Sequence, residues 1–347
     1  MLVVGEVTGA IVPNPLSSMP RQRATDNESP EVELIHRIAV GHFDLPLDDP
    51  RYPALVNYYV ALRSKPIAVL VGPGGSGKEA LASRVADAIV GRRAEKHQVL
   101  AGHPWWAREK VGATAHARWN ELKLDALIAE ATQPKNARRA YFVCLQHISP
   151  AELDEVAVSA AQPYPLLPPN LFIAATFDRD RPLAGDDELL SVASVIWWPW
   201  DWPPAANGRE PRPVAPAAER IFVKSSLRRA SAARRRLRQV FGDITPPVRA
   251  LVEVTAPLAK ADIRLGPTAM DDAIRYLANA WSAEGVGLFD PQPSRNLTIA
   301  LDFAIAQALV TRAMSCIGDR PAAGDMLGAI LRDRYPHSAA LLAAIQA

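Results

Sequence analysis

Short, unbroken apolar runs alternate along the first two-thirds of the chain with longer segments in which apolar residues return every three or four positions. Ile67–Val71, Tyr141–Leu145, Asn170–Thr176 and Val192–Trp198 are such runs, and Gln98–Leu100 is a shorter one. None alternates apolar with polar, so each predicts a strand covered on both faces, as in a parallel sheet. Between them lie helical patterns. Val32, Leu34, Ile35 and Ile38 mark one from Glu31, and Leu55, Tyr58, Tyr59 and Leu62 mark a second over Tyr52–Arg63. Leu81, Val85, Ala88 and Ile89 mark a third, and Ala117–Ala131 carries a fourth with Trp119, Leu122, Leu124, Leu127 and Ile128. Ser149-Pro150, with Glu152 at the capping-box position, opens a fifth running to about Ala161. Strands alternating with helices predict an α/β sheet with crossover connections.

At Trp197 the pattern changes. WWPWDWPP and the proline-rich string after it break every periodicity and predict a linker. Glu219–Val240 reads as one basic helix. From Pro246 onward everything is helical: 247–260, 268–282, 297–317 and two shorter segments, with Leu297, Leu301, Ala304, Ile305, Ala308 and Leu309 forming the clearest stripe. The expected organisation is an N-terminal arm (1–30), an α/β core with a helical preface (31–200), a linker with the basic helix (201–245) and an all-helical domain (246–347).

Composition narrows the function only a little. With 347 residues, 49% apolar and 22% charged, the chain can bury a sizeable core. A net charge of +2 gives no global case for nucleic acid or a membrane surface, so such a case must rest on local clusters. No apolar run reaches the roughly 20 residues of a membrane helix, and MLVVGEVTGAIV has no basic flank of a signal peptide. Cys144 and Cys316 each sit in an apolar run and read as buried free thiols of a reducing, cytoplasmic protein.

The chemistry concentrates at Gly72-Pro73-Gly74-Gly75-Ser76-Gly77-Lys78, which leaves the Ile67–Val71 run and opens a helix. Strand, G-x-x-x-x-G-K, helix is a phosphate-binding loop: glycines let successive amides and the helix N-terminus face one anion, and the lysine adds a mobile positive charge. ATP or GTP is the implied ligand. The residue after the lysine, usually a Ser or Thr that holds Mg²⁺, is Glu79, which makes Mg²⁺ doubtful. A carboxylate there competes with phosphate for the same amides; turned outward, it does nothing.

Together with YFVCL followed by ISPAEL, LPPNLFIAAT and ALDFAIAQALV, this loop resembles the AAA+ branch of P-loop NTPases, closest to its McrB/MoxR-like members of bacterial restriction and defence. The resemblance covers about residues 31–345. It implies a parallel sheet flanked by helices, a helical lid, nucleotide binding, and assembly with AAA+ subunits, as homo- or hetero-oligomer. It also implies that the reactive positions have been lost. Glu79 stands at the Mg²⁺ ligand, Gln146 at the metal-steadying aspartate, His147 at the water-activating glutamate and Asp178 at the usual asparagine sensor. Leu189–Ile196 holds no arginine finger, and Leu265–Met270 lacks the lid arginine expected near Thr268. Since phosphoryl transfer needs metal, water and charge neutralisation, the expectation is a degenerate subunit that binds nucleotide without hydrolysing it alone.

Two other readings stand beside it. One is an active ATPase or GTPase completed by neighbouring subunits or by Asp178, Asp180 or Asp186. The other is a nucleic-acid module on this scaffold. Arg220–Arg238 holds eight Arg/Lys and no acid, with Arg228, Arg229, Arg234, Arg235, Arg236 and Arg238 as candidate contacts for nucleic acid or an acidic partner. Trp197, Trp198, Trp200 and Trp202, like His103, Trp105 and Trp106, are expected to pack a junction or interface more than to stack bases. No histidine or cysteine spacing predicts a metal site.

Overall fold

A computed structural model describes residues 29–91, 97–101, 124–148, 167–183, 187–200 and 214–346. Two helices lead in, α1 (Pro30–Phe43) and α2 (Tyr52–Ser64), followed by β1 (Ile67–Gly72), α3 (Lys78–Val90), β2 (His97–Ala101), α4 (Leu124–Thr132), β3 (Tyr141–Gln146), β4 (Leu171–Asp178), α5 (Asp187–Val192) and β5 (Ala193–Trp197). The five strands form one sheet in the order β2-β3-β4-β1-β5, and every pairing is parallel. The expected α/β sheet flanked by helices, with a helical C-terminal region, is therefore the observed architecture. The fifth predicted helix, from Ser149, lies outside the described residues, as does the start of the fourth.

The unbroken apolar runs follow from what covers the sheet. Ile67, Val69, Val71, Val143, Leu145 and Ile173 point to one face, against Leu127 and Ile128 of α4 and Leu189 and Leu190 of α5. Ala68, Leu70, Phe142, Cys144, Phe172 and Ala174 point to the other, into a core shared with α1, α2, α3 and the C-terminal helices. A strand buried on both faces has no reason to alternate.

The C-terminal region comprises α6 (Ala218–Ser225), α7 (Ala230–Phe241), α8 (Thr245–Lys260), α9 (Pro267–Asn279), α10 (Pro293–Ile305), a π-turn (Ala306–Val310) running on into α11 (Thr311–Asp319), α12 (Pro321–Leu331) and α13 (Pro336–Gln346). The single basic helix expected over Glu219–Val240 is thus two helices. Asn279 breaks it by pairing with the backbone of Leu227, accepting from its N–H at 2.9 Å and donating to its carbonyl at 3.0 Å. Those bonds take the place of the intrahelical ones. Pro293–Asp319 corrects a second expectation. It is long and apolar enough to cross a membrane, but 83% of its apolar window is buried inside the protein, the mark of a core helix. Cys144 is buried as expected, whereas Cys316 is exposed.

Buried polar groups lock the helical region onto the sheet. Arg63 pairs with Glu31 and donates to the carbonyls of Asn279 at 3.0 Å and Ser225 at 2.5 Å. Burial pushes the Glu31 carboxyl up, against the pull of Arg63. Lys65, just before β1, meets Asp272 of α9 at 2.6 Å, and the same carboxylate takes Arg312 at 2.5 Å and Arg275. Asn57 accepts from Tyr276 at 2.6 Å and from Gln307, in the π-turn, at 2.5 Å.

Candidate phosphate-binding loop and the charges around it

Register decides what surrounds the loop. In the β1–β4 pairing Gly72 lies opposite Asp178, so the last residue of β4 stands beside the first residue of the turn. Such strand ends, where crossovers depart, are the usual ligand crevice of open parallel sheets. A Cβ on Gly72 would lie 2.2 Å from the Trp198 carbonyl oxygen, a fixed backbone atom, so only glycine lets β1 and the end of β5 approach this closely. Gly75 (φ 77°) and Gly77 (φ 79°) take left-handed conformations open to glycine at no steric cost, and they turn the chain into α3.

Lys78, the first residue of α3, is fully buried. Its ammonium donates to the Pro73 carbonyl at 2.8 Å and to Asp178 Oδ1 at 2.5 Å, and lies 3.1 Å from Glu79 Oε1. Asp178 also lies over the loop, its carboxyl carbon 3.9 Å from where a Cβ on Gly74 would be. Its second oxygen is 2.6 Å from His147 Nδ1. Burial pushes the Asp178 carboxyl up, but the hydrogen bonds from Lys78 and His147, with their charges, outweigh it and hold it below the ordinary aspartate range. His147 follows β3 in a left-handed conformation (φ 54°), unusual for a side-chain-bearing residue, and its N–H donates to Thr176 Oγ1 at 3.0 Å. Gln146 turns away from this cluster, and its amide donates to Ser83 Oγ of α3 at 3.1 Å.

Glu79, His147 and Asp178, named singly from the sequence, thus close on Lys78 as one group. The lysine's charge faces two carboxylates. What sequence reasoning missed is that Lys78 is already paired and that Glu79, His147 and Asp178 each bring a ligand atom within 4.8 Å of the others. Their positions at the two strand ends and one residue past the lysine were the available signal. The metal that P-loop chemistry implies is Mg²⁺, a hard cation held through oxygen ligands and waters. The residues present fit it poorly. Gln146 is spent on Ser83, a histidine nitrogen replaces an oxygen ligand, and the Lys78 ammonium already supplies positive charge to both carboxylates.

The remaining sequence candidates scatter. Asp180 is exposed beyond β4, and Asp186 lies outside the described residues. Leu189–Ile196 spans the end of α5 and most of β5, with the Leu190 carbonyl taken by Lys65 and by Arg312 at 2.9 Å; Thr268 is exposed in the first turn of α9. Of the arginine set, Arg228 is turned inward. It donates to the carbonyls of Leu171 at 2.7 Å and Pro168 at 3.3 Å, with its guanidinium 4.6 Å from the centre of the Phe172 ring. Arg234 pairs with Asp271, and Arg236 donates to the carbonyls of Ser282 at 2.6 Å and Trp281 at 3.2 Å. Arg229, Arg235 and Arg238 are exposed. Trp198 packs edge-on against Trp200, which stacks on His337 of α13, so these rings do fill a junction. Trp197 is half-buried against both cores, while His103, Trp105, Trp106 and Trp202 lie outside the described residues.

No family model and no curated protein matches the chain. Among solved structures, that of C. elegans PCH-2 shows a likeness at 13% identity with a TM-score of 0.28, over 91% of this chain and 72% of that one. A superposition that loose establishes no kinship. The class rests on the chain's own geometry: a parallel α/β sheet whose strand β1, flanked by β4 and β5, runs through a glycine turn into a helix headed by lysine, with a helical region packed alongside.

Proposed function

We propose that the chain is an AAA+-like P-loop protein that holds a phosphate-bearing ligand, ATP or GTP, at Gly72–Lys78 and does not hydrolyse it alone. The observation that carries this reading is the setting of Lys78. The glycine loop and helix start of an anion cradle are intact, yet among the described residues the charged groups against the lysine are Asp178 and Glu79, with His147 behind them. The cradle supplies backbone amides and one cation to a phosphate. At the positions where the resemblance places a finger and a lid arginine, Leu189–Ile196 and Leu265–Met270, the sequence holds none to neutralise the charge of a transition state, and a missing arginine alone costs about 10³ to 10⁵ in turnover. A protein of this kind serves as a structural or regulatory component beside AAA+ subunits. The McrB/MoxR resemblance extends that role to a restriction-like or phage-defence assembly.

The test is titration with fluorescent ATP and GTP analogues, with and without Mg²⁺, alongside a phosphate-release assay. Saturable binding that Lys78→Ala abolishes, with release at the buffer rate, is expected. Steady turnover lost in Lys78→Ala would overturn the non-hydrolysing reading.

A further inference from the structure

We propose that Asp178 is a tethered competitor of phosphate, an autoinhibitory contact that the incoming anion must displace from Lys78. The inference rests on the reading of Gly72–Lys78 as a phosphate cradle, and it says what governs access to that cradle.

Three observations converge. The Lys78 ammonium is already engaged: it donates to the Pro73 carbonyl and to Asp178 Oδ1, and Glu79 Oε1 lies 3.1 Å away as an ion pair without a hydrogen bond. Asp178 reaches it from the end of the neighbouring strand, with its carboxyl carbon 3.9 Å from where a Cβ on the exposed Gly74 would be, so the carboxylate stands beside the loop that would take the anion. Its own position is fixed from two sides, by the Gly72–Asp178 strand register and by His147 at 2.6 Å from the other carboxylate oxygen. A carboxylate and a phosphate present the same chemistry to an ammonium, an anionic oxygen at hydrogen-bond distance, so the two exclude each other on Lys78. A phosphate entering beside an undisplaced Asp178 and Glu79 would also meet like charge at contact distance in a partly desolvated site.

Displacement is feasible on the same evidence. Asp178 is the most exposed member of the group, its side chain 40% accessible, and lies at the last residue of its strand. It can swing outward without opening the core. Glu79 differs, being 17% accessible and sitting in the first turn of α3, where the helix dipole favours a carboxylate. Asp178 is therefore the mobile gate, and Glu79 remains as a constant repulsive element. His147 acts as a positioning residue, holding Asp178 in its blocking place.

The test is equilibrium binding of a fluorescent ATP analogue, in buffer with EDTA, to the full chain and to Asp178→Asn, Glu79→Gln and Asp178→Asn/Lys78→Ala. Asn keeps an acceptor for Lys78 and so preserves the fold, which thermal melting checks. Freeing one charge-assisted contact predicts binding about 10- to 100-fold tighter in Asp178→Asn, with the gain erased in the double variant. Glu79→Gln should tighten binding by less, and it reports on the charge argument independently should Asp178→Asn misfold. Binding by Asp178→Asn where the wild type shows none would support the gate in its strongest form. Equal or weaker binding by Asp178→Asn, with the wild type binding normally, would overturn the gate and leave the cradle standing. No binding by any folded variant would overturn the cradle and the gate together.

Discussion

Asp272 offers the sharpest stability test, because one carboxylate there satisfies three cations at the join between the sheet and the helical region. Lys65, Arg312 and Arg275 all contact it, and its side chain is 2% exposed. At 2.6 Å the Lys65 contact alone is worth about 6 kcal/mol gross at an effective dielectric of 20, most of it offset by desolvation of the two ions. Removing one partner of such a group leaves buried cations uncompensated, which costs about 3–5 kcal/mol. The carbonyls of Leu190, Ala193 and Ala308 that also accept from Lys65 and Arg312 soften the loss, so Asp272→Ala should fall near the lower figure. Urea unfolding followed by tryptophan fluorescence measures it, with Lys65→Met and the double variant closing a thermodynamic cycle. The double variant is expected to recover part of the loss, because Lys65 then no longer needs a counter-charge. A change below about 1 kcal/mol in Asp272→Ala would refute the reasoning, since it would mean that the carbonyls alone satisfy the cations.

Three further outcomes follow from the same structure. Gly72→Ala places a methyl against the Trp198 carbonyl oxygen and should destabilise by about 1–3 kcal/mol as β1 and the end of β5 are forced apart, read as a lower unfolding midpoint. Arg228→Ala should cost about 1–3 kcal/mol through the lost carbonyl contacts and the ring it covers, while Arg235→Ala and Arg238→Ala change stability by less than about 0.5 kcal/mol. Lys65 is pushed down to about 8, first by burial and against the raising pull of Asp272. Its folded value then lies below the roughly 10.4 of an unfolded lysine. Between those two pH values the unfolded chain holds a proton that the folded chain has released, so stability should rise with pH by up to about 3 kcal/mol. Unfolding curves at pH 7.5 to 10 check the sign, and Lys65→Met should flatten the rise.

The sheet was legible because its strands are covered on both faces, leaving apolar runs such as Tyr141–Leu145 with nothing to interrupt them. The loop was legible because its glycines and lysine are local. What stayed hidden depends on distant partners. Lys78 and Asp178 are 100 residues apart, and only the parallel register brings them together. The break in the basic stretch is imposed by Asn279, and half of the six arginines that read as a contact surface, Arg228, Arg234 and Arg236, turn to neighbouring carbonyls and acids once the chain folds. Periodicity reports which face of an element is apolar, not which cations the interior consumes.

The central claim, a phosphate cradle without an engine, is tested most directly by ³¹P NMR of ATP mixed with a stoichiometric amount of the protein and followed over hours. The account predicts that the β- and γ-phosphate resonances shift or broaden with the wild-type chain and not with Lys78→Ala, and that all three ATP signals persist. Growth of ADP and inorganic phosphate that depends on Lys78, or resonances that move neither with the wild type nor with Asp178→Asn, would contradict it.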